Sequence, residues 1–505
     1  MVEILGRAQP LGKRANTVSV EERGNGHKSG LRARQGRMDA QESQCREVPG
    51  KPGKRANITL EKDQPRHVRE RYSRLRRFQL QDTAAGLAGE YLNRKNRKQQ
   101  ERVAYCLRRL SDVASGVELR YNPGAGSAHY RGLQTCGSVW HCPVCAAKIS
   151  ERRRDELAAL VKAHIAAGGS VWMTTYTVQH KKCTDLAGLV DNFLAARRKM
   201  RQGRRGVALR RDFQIVGTVS VLEVTYSDRN GWHPHVHELV FSSDPSMSPD
   251  AYDKAARPAW QDAAAAFGLA MNAHGFQIDR TFGAVQDYIT KFGHEPATAR
   301  PWGVENEVSK GHLKQARSKD GMTPFGLLAA VADGLDKYAP LWQEYCRVFK
   351  GRKQLNYSPG LKALYEVPEE TDEEIASQGE TSEAVTLLEL SPAQWDVVVE
   401  HKARGGVLEL ARSGRPGELL AGLAEIGLTV EPPGMAGWRV HSPGGDGECD
   451  SVWPDAAAPG GYRARIWLDD RSRPGGRWLT CALWDLVVLS DGSRERAALL
   501  EELGL

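Results

Sequence analysis

The chain has 505 residues, 40% of them hydrophobic, and a formal net charge of +9. That length predicts two or three domains rather than one, and the positive balance suits an anionic partner such as nucleic acid, although solvated tails carry such charge equally well. No apolar run reaches the roughly 18 residues of a membrane-spanning helix, and the first ten residues lack a signal-peptide pattern, so a cytoplasmic protein without a membrane partner is expected.

Residues 1–80 are rich in Arg, Lys, Gly and Gln with little apolar periodicity, and read as a basic disordered arm. Within it a helix is expected to start near Pro65 and carry Arg69, Arg71, Arg74, Arg76 and Arg77. Residues 98–111 read as a helix, and residues 148–167 as a stronger one with Ile149, Leu157, Leu160, Val161 and Ile165 on one face. Gly168-Gly169 ends it. Residues 98–168 are taken as a zinc-binding and basic helical segment.

Residues 170–180 are β-branched and aromatic and predict a strand, followed by a helix over 186–200. Residues 214–226 and 232–241 predict a β-hairpin closed by a five-residue loop at 227–231. A helix over 251–267, a strand over 275–279 and a helix over 284–292 complete an α+β domain placed at 169–365. Residues 366–383 are acidic, nearly free of large apolar groups, and read as a linker. The composition then resets: residues 384–505 read as a separate C-terminal accessory domain. It is expected to hold two or three amphipathic helices over 390–427, a Gly/Pro-rich stretch, and apolar runs at 464–468 and 478–489.

Nine cysteines at uneven spacing, four of them in one short region, point to metal binding rather than disulfides. Cys136, Cys142 and Cys145 form a CxxC knuckle with a third thiol close by, a zinc pattern with Cys106 as the natural fourth ligand and His141 as the alternative. The neighbouring Lys148 and Arg152-Arg153-Arg154 read equally as a phosphate-tracking stretch or a solvated helix face.

His233, His235 and His237 stand at i, i+2 and i+4, so on a strand all three face one way. Folding back at 227–231 brings Glu223 opposite His235, where a charge interrupts a face otherwise carried by Val219 and Val221. A carboxylate with two imidazoles suits Mn²⁺, or Mg²⁺ completed by water and a phosphate. The pattern is also similar to that of histidine-triad nucleotide hydrolases, but Pro234 and Glu238 break that family's alternation. Some fifty residues on, Tyr288 and Lys291 share one face of the expected helix, an arrangement in which an ammonium assists a phenol oxygen as nucleophile.

Taken in order, these segments resemble the rolling-circle replication initiators of plasmids, the Rep proteins of the HUH endonuclease superfamily. Thr175-Tyr176-Thr177-Val178-Gln179-His180 is similar to that family's first motif, Gly231-Trp232-His233-Pro234-His235-Val236-His237-Glu238-Leu239 to its second, and Tyr288-Ile289-Thr290-Lys291 to its third. Thr323-Pro324-Phe325 and Gly351-Arg352-Lys353-Gln354-Leu355 resemble segments of the actinobacterial plasmid branch. The match runs over roughly residues 98–365. The resemblance implies an HUH-type antiparallel sheet with flanking helices. It implies a site-specific nicking-joining endonuclease in which Tyr288 attacks a single-stranded or extruded plasmid origin, Lys291 assists, and His235, His237 and Glu223, with His233 as a further candidate, hold Mg²⁺ or Mn²⁺. It also implies a host helicase, single-strand-binding protein and DNA polymerase as partners, with His180 orienting the site. Where some members place a glutamate four residues before the tyrosine, this chain has Ala284. Rival readings are a conjugative relaxase or transposase of the same chemistry and a non-catalytic, zinc-containing DNA-binding regulator.

Overall fold

A computed structural model describes residues 66–92, 98–279, 321–378, 384–431 and much of 434–489. The hairpin organises it. Strand Ile215–Ser227 pairs antiparallel with strand Gly231–Ser242 over nearly its full length. Pairing continues to Ser227 opposite Gly231, so only residues 228–230 remain in the turn, tighter than the five-residue loop expected. Gly231 makes this possible: its φ is +76°, and a Cβ there would lie 2.4 Å from the Lys182 carbonyl oxygen. Strand Ser170–Thr177 flanks Gly231–Ser242 on its other side, followed by Phe276–Asp279; Leu355–Tyr357 flanks Ile215–Ser227, and Gly321–Met322 adds beside the turn. All six strands of this sheet are antiparallel to their neighbours.

Side-chain alternation gives the sheet two different faces. Trp172, Tyr176, Leu222, Val224, Val236 and Val240 lie under helix Leu186–Gln202 and helix Pro249–Ala265, in the largest core. On the other face Val171, Met173, Val219, Val221, Leu239 and Phe241 lie under Leu157, Leu160 and Val161 of helix Pro143–Ala166. That cover stops halfway along the strands. The remaining half of this face carries Thr175, Thr177, Glu223, His233, His235 and His237, the positions in phase with Val219 and Val221. Glu238 is out of phase: its carboxylate is buried on the opposite face with Arg197 and accepts from the Tyr176 hydroxyl.

Several expected elements differ. Residues 98–111 form a short strand, a 3₁₀ turn at Arg102–Ala104 and turns, not a helix, because the chain must bend to bury Cys106; Leu107 takes φ +50°. The helix begun near Pro65 is Arg66–Gly86, which brings part of the presumed arm into the fold. A hairpin over Val117–Asn122 and Ser127–Arg131 has no clear announcement in the sequence.

The acidic run is no free linker over its described part. Helix Asp372–Ser377, closed by a Thr371–Glu374 capping box, docks on helix Pro143–Ala166. Arg152 pairs with Glu370 at 2.7 Å, Arg153 with Asp372 at 2.8 Å, and Lys148 donates to the Ala376 carbonyl. The basic stretch read as phosphate-tracking or solvated is thus matched by an internal acidic partner.

The boundary at residue 384 also shifts. Strand Val385–Leu390 pairs with Val117–Asn122, so the C-terminal region completes a sheet begun roughly 270 residues earlier. Val117, Leu119 and Tyr121 share one core with Leu387, Leu390, Trp395 and Val407. Helices Pro392–Glu400, Arg404–Arg412 and Pro416–Glu425 and a five-stranded antiparallel sheet follow. Arg404, fully buried, donates to the Gln81 side chain and the Leu107 carbonyl. The described residues all belong to one compact unit. A strand needs a hydrogen-bonding neighbour, and composition alone does not reveal that this neighbour lies across the chain.

Candidate metal centre

Two clusters of potential ligands stand among the described residues, one on the central sheet and one beside it. On the sheet, the hairpin register sets Glu223 opposite His235, while His235 and His237 lie opposite Thr177 and Thr175 of the neighbouring strand. The Glu223 Oε2 atom lies 2.9 Å from His235 Nε2 and 3.2 Å from His237 Nε2. The second nitrogen of each ring is also anchored: His237 Nδ1 lies 2.9 Å from the Thr175 hydroxyl, and His235 Nδ1 lies 3.3 Å from the His233 carbonyl. Both imidazoles therefore present Nε2 inward, with orientation fixed from behind, as ligand histidines commonly are.

Glu223 is buried, and its Oε1 has no hydrogen-bond partner among the described residues. Burial opposes its ionisation, but His237 and His235 outweigh that and hold its carboxyl below the usual range. A buried anion with one unused oxygen and two imidazole nitrogens aimed at the other is a donor set that a divalent cation would complete. Ring protons and a cation satisfy the same lone pairs.

His233 stands apart from this trio. Its Nε2 lies 3.2 Å from the Thr177 hydroxyl and its Nδ1 2.9 Å from His180 Nε2. Burial, with His235 and His180 nearby, pushes its pKa down to about 3, so it is neutral at physiological pH. His180 in turn meets the Asn230 carbonyl through Nδ1. The two histidines thus tie the end of the first strand to the hairpin. Thr175 is a supporting residue that single-residue reading does not single out; its signal is register, one strand over from His237. Tyr288, Lys291 and Ala284 lie outside the described residues.

The second cluster is formed by Cys106, Cys136, Cys142 and Cys145, all buried. Cys142 caps helix Pro143–Ala166, accepting from the Cys145 backbone N–H, and Pro143 sits at the first helical turn. This turn brings the CxxC pair together. Sulfur separations are 3.5 Å for Cys106–Cys145, 3.7 Å for Cys136–Cys145 and 3.7 Å for Cys142–Cys106. Four thiolates bound tetrahedrally at a zinc–sulfur distance of about 2.3 Å sit roughly 3.8 Å apart. The donor set and spacing fit that ion. His141 is not in the cluster; its Nε2 is buried without a hydrogen-bond partner among the described residues.

Protein rep of Streptomyces lividans is 26% identical over 318 residues, 50% of this chain and 68% of that protein. The chain resembles a plasmid Rep protein of the actinobacterial type. A second relative, the neomycin resistance protein of Streptomyces cyanogenus, is 28% identical over 140 residues, 23% of this chain and 32% of that protein. No family model matches the chain, and no solved structure matches it. No described helix is long and apolar enough to cross a membrane.

Proposed function

We propose that the chain is a rolling-circle plasmid replication initiator of the HUH type, which nicks one strand of its origin by tyrosine transesterification. The observation that carries this reading is the trio Glu223, His235 and His237, on paired strands at the half of a sheet face beyond helix Pro143–Ala166. Similarity to Protein rep supports replication over conjugative transfer or transposition. A zinc-containing regulator without catalysis would account for the cysteines but not for a buried carboxylate aimed at two imidazoles.

In this reading Glu223, His235 and His237 would hold Mg²⁺ or Mn²⁺, an ion that would supply charge withdrawal from the scissile phosphate. The Tyr288 oxygen attacks phosphorus, forming a phosphotyrosyl bond as the bond to the 3′ oxygen breaks. The proton lost by the phenol is balanced by one gained at the 3′ oxygen, leaving a free 3′ hydroxyl as primer. The 5′ phosphate stays on Tyr288, so the strand can later be rejoined without an energy source. Lys291 stabilises the phenolate or the phosphate. The His180–His233 pair fixes the strand end beside the trio. Cys106, Cys136, Cys142 and Cys145 would hold zinc, which would staple the segment before the first strand to the start of helix Pro143–Ala166. The DNA partner is the plasmid origin, single-stranded or extruded, with a host helicase, single-strand-binding protein and polymerase acting on the products. The test is incubation of the protein with a single-stranded origin oligonucleotide and Mn²⁺, followed by a denaturing gel. A protein–DNA adduct is expected, and its absence across the whole origin region refutes the reading.

A further inference from the structure

Helices Leu186–Gln202 and Arg204–Asp212 meet at Gly203 and gather an unusual concentration of charge. Residues 192–211 contain eight arginines or lysines and no acid. Arg197 is buried against Glu238, and the other seven lie at the surface. Gly206 lets the second helix start tightly against the end of the first, because a Cβ there would lie 2.1 Å from the Met200 carbonyl oxygen. The cations of both helices are therefore packed together around the carbonyl end of the first helix, which eases but does not cancel their repulsion.

Few acids answer them. Arg201 lies 3.9 Å from the Glu238 carboxylate, Arg205 pairs with Asp262, and Arg211 with the adjacent Asp212. Arg198, Lys199, Arg204 and Arg210 have no carboxylate within ion-pair distance among the described residues. The contrast with helix Pro143–Ala166 is internal to the molecule: there Arg152 and Arg153 are matched by Glu370 and Asp372. A like-charged surface cluster in which four of seven cations have no carboxylate among the described residues favours a polyanionic partner.

We infer that this surface, on the face of the central sheet opposite the histidines, holds the phosphate backbone of duplex DNA. Both helices pack on the Leu222–Val236 side of the sheet, and the second leads into Ile215, at the far end of the strand from Glu223. Duplex is held on one face and end, and strand cleavage is left to the other. The inference rests on the DNA-acting reading above for the choice of nucleic acid as the polyanion. Arginines spread over two helices meet successive phosphates without reading bases, so the binding is indifferent to sequence.

The test measures binding of the full chain to a mixed-sequence 30-base-pair duplex (about three helical turns) across a salt series, without divalent ions. The variant carries Arg204→Gln, Arg205→Gln, Arg210→Gln and Arg211→Gln together. Expected are binding at least ~10-fold weaker at low salt and a log–log salt slope shallower by about 0.9 for each phosphate no longer neutralised, ~2–4 in all. A control variant, Lys162→Gln with Lys402→Gln at exposed sites elsewhere, keeps the wild-type slope. If the quadruple variant does not fold, Arg204→Gln with Arg210→Gln, neither in an ion pair, is expected to give about half the effect on the slope. An unchanged slope, or an equal loss in the control, overturns the inference. So does wild-type binding to polyglutamate as tight as to duplex and lost in the variant, which marks a dock for an acidic protein. Adduct formation by the wild-type chain is scored separately, so failure of the nicking reading leaves the duplex result standing.

Discussion

Glu223 faces His235 directly across the hairpin, with Oε2 of the one 2.9 Å from Nε2 of the other. A buried carboxylate held this way is costly unless it stays paired. Glu223→Gln keeps the shape and removes the charge. Adduct formation with a single-stranded origin oligonucleotide is expected to fall at least ~100-fold, and His237→Ala likewise, in line with loss of a metal ligand. Duplex binding should change little in either variant. Full cleavage by a His235→Ala/His237→Ala double variant in Mn²⁺ would refute the metal assignment.

On the proposed mechanism, Tyr288→Phe removes only the attacking oxygen. Adduct formation should vanish while the melting temperature stays within a few degrees of wild type. The DNA recovered on the wild-type protein should be the fragment downstream of the nick, joined by its 5′ phosphate. Peptide mapping checks this, and DNA on a peptide lacking residues 286–291 identifies another nucleophile.

Purified protein should contain about one zinc per chain. Cys142→Ser takes away one of the four proposed zinc ligands but keeps the cap of helix Pro143–Ala166, because a serine oxygen can accept from the Cys145 N–H as the sulfur does. The expected result is loss of zinc and a melting temperature lower by about ten degrees or more, since structural zinc is itself folding energy. Elemental analysis finding no zinc in protein prepared without chelator, with an unchanged Cys142→Ser melting curve, would count decisively against the site.

Truncation after residue 378 should not yield a stable catalytic fragment. It removes the strand Val385–Leu390 that pairs Val117–Asn122, and bares Val117, Leu119 and Tyr121. Aggregation or loss of cooperative unfolding is expected by calorimetry. The point variant Trp395→Ala, which empties a fully buried position and frees the Arg108 carbonyl, should cost about 3–5 kcal/mol. A truncated chain that melts like the full one would contradict the shared core.

The sequence by itself determined the hairpin, its approximate register and the common face of the histidines. These follow from period-two alternation and from a turn whose glycine only a close backbone approach demands. The proximity of Cys142 and Cys145 was legible too from the CxxC spacing, although the helix that positions them starts at Pro143 rather than at the residue 148 expected. The tertiary structure decided the rest. It separated His233 from Glu223 by giving its ring to His180 and Thr177, a choice made by strand register and not by spacing. It placed Cys106, the expected fourth member, rather than His141 in the cysteine cluster across 30 residues, and it replaced the helix expected over 98–111 with a bent segment. It folded the acidic run onto Arg152 and Arg153, and it gave Val385–Leu390 a partner far away in the chain. Local patterning reports which face of an element is buried and where a turn is permitted; it carries no information about which distant charge or strand edge will satisfy it, because that depends on packing of the whole core.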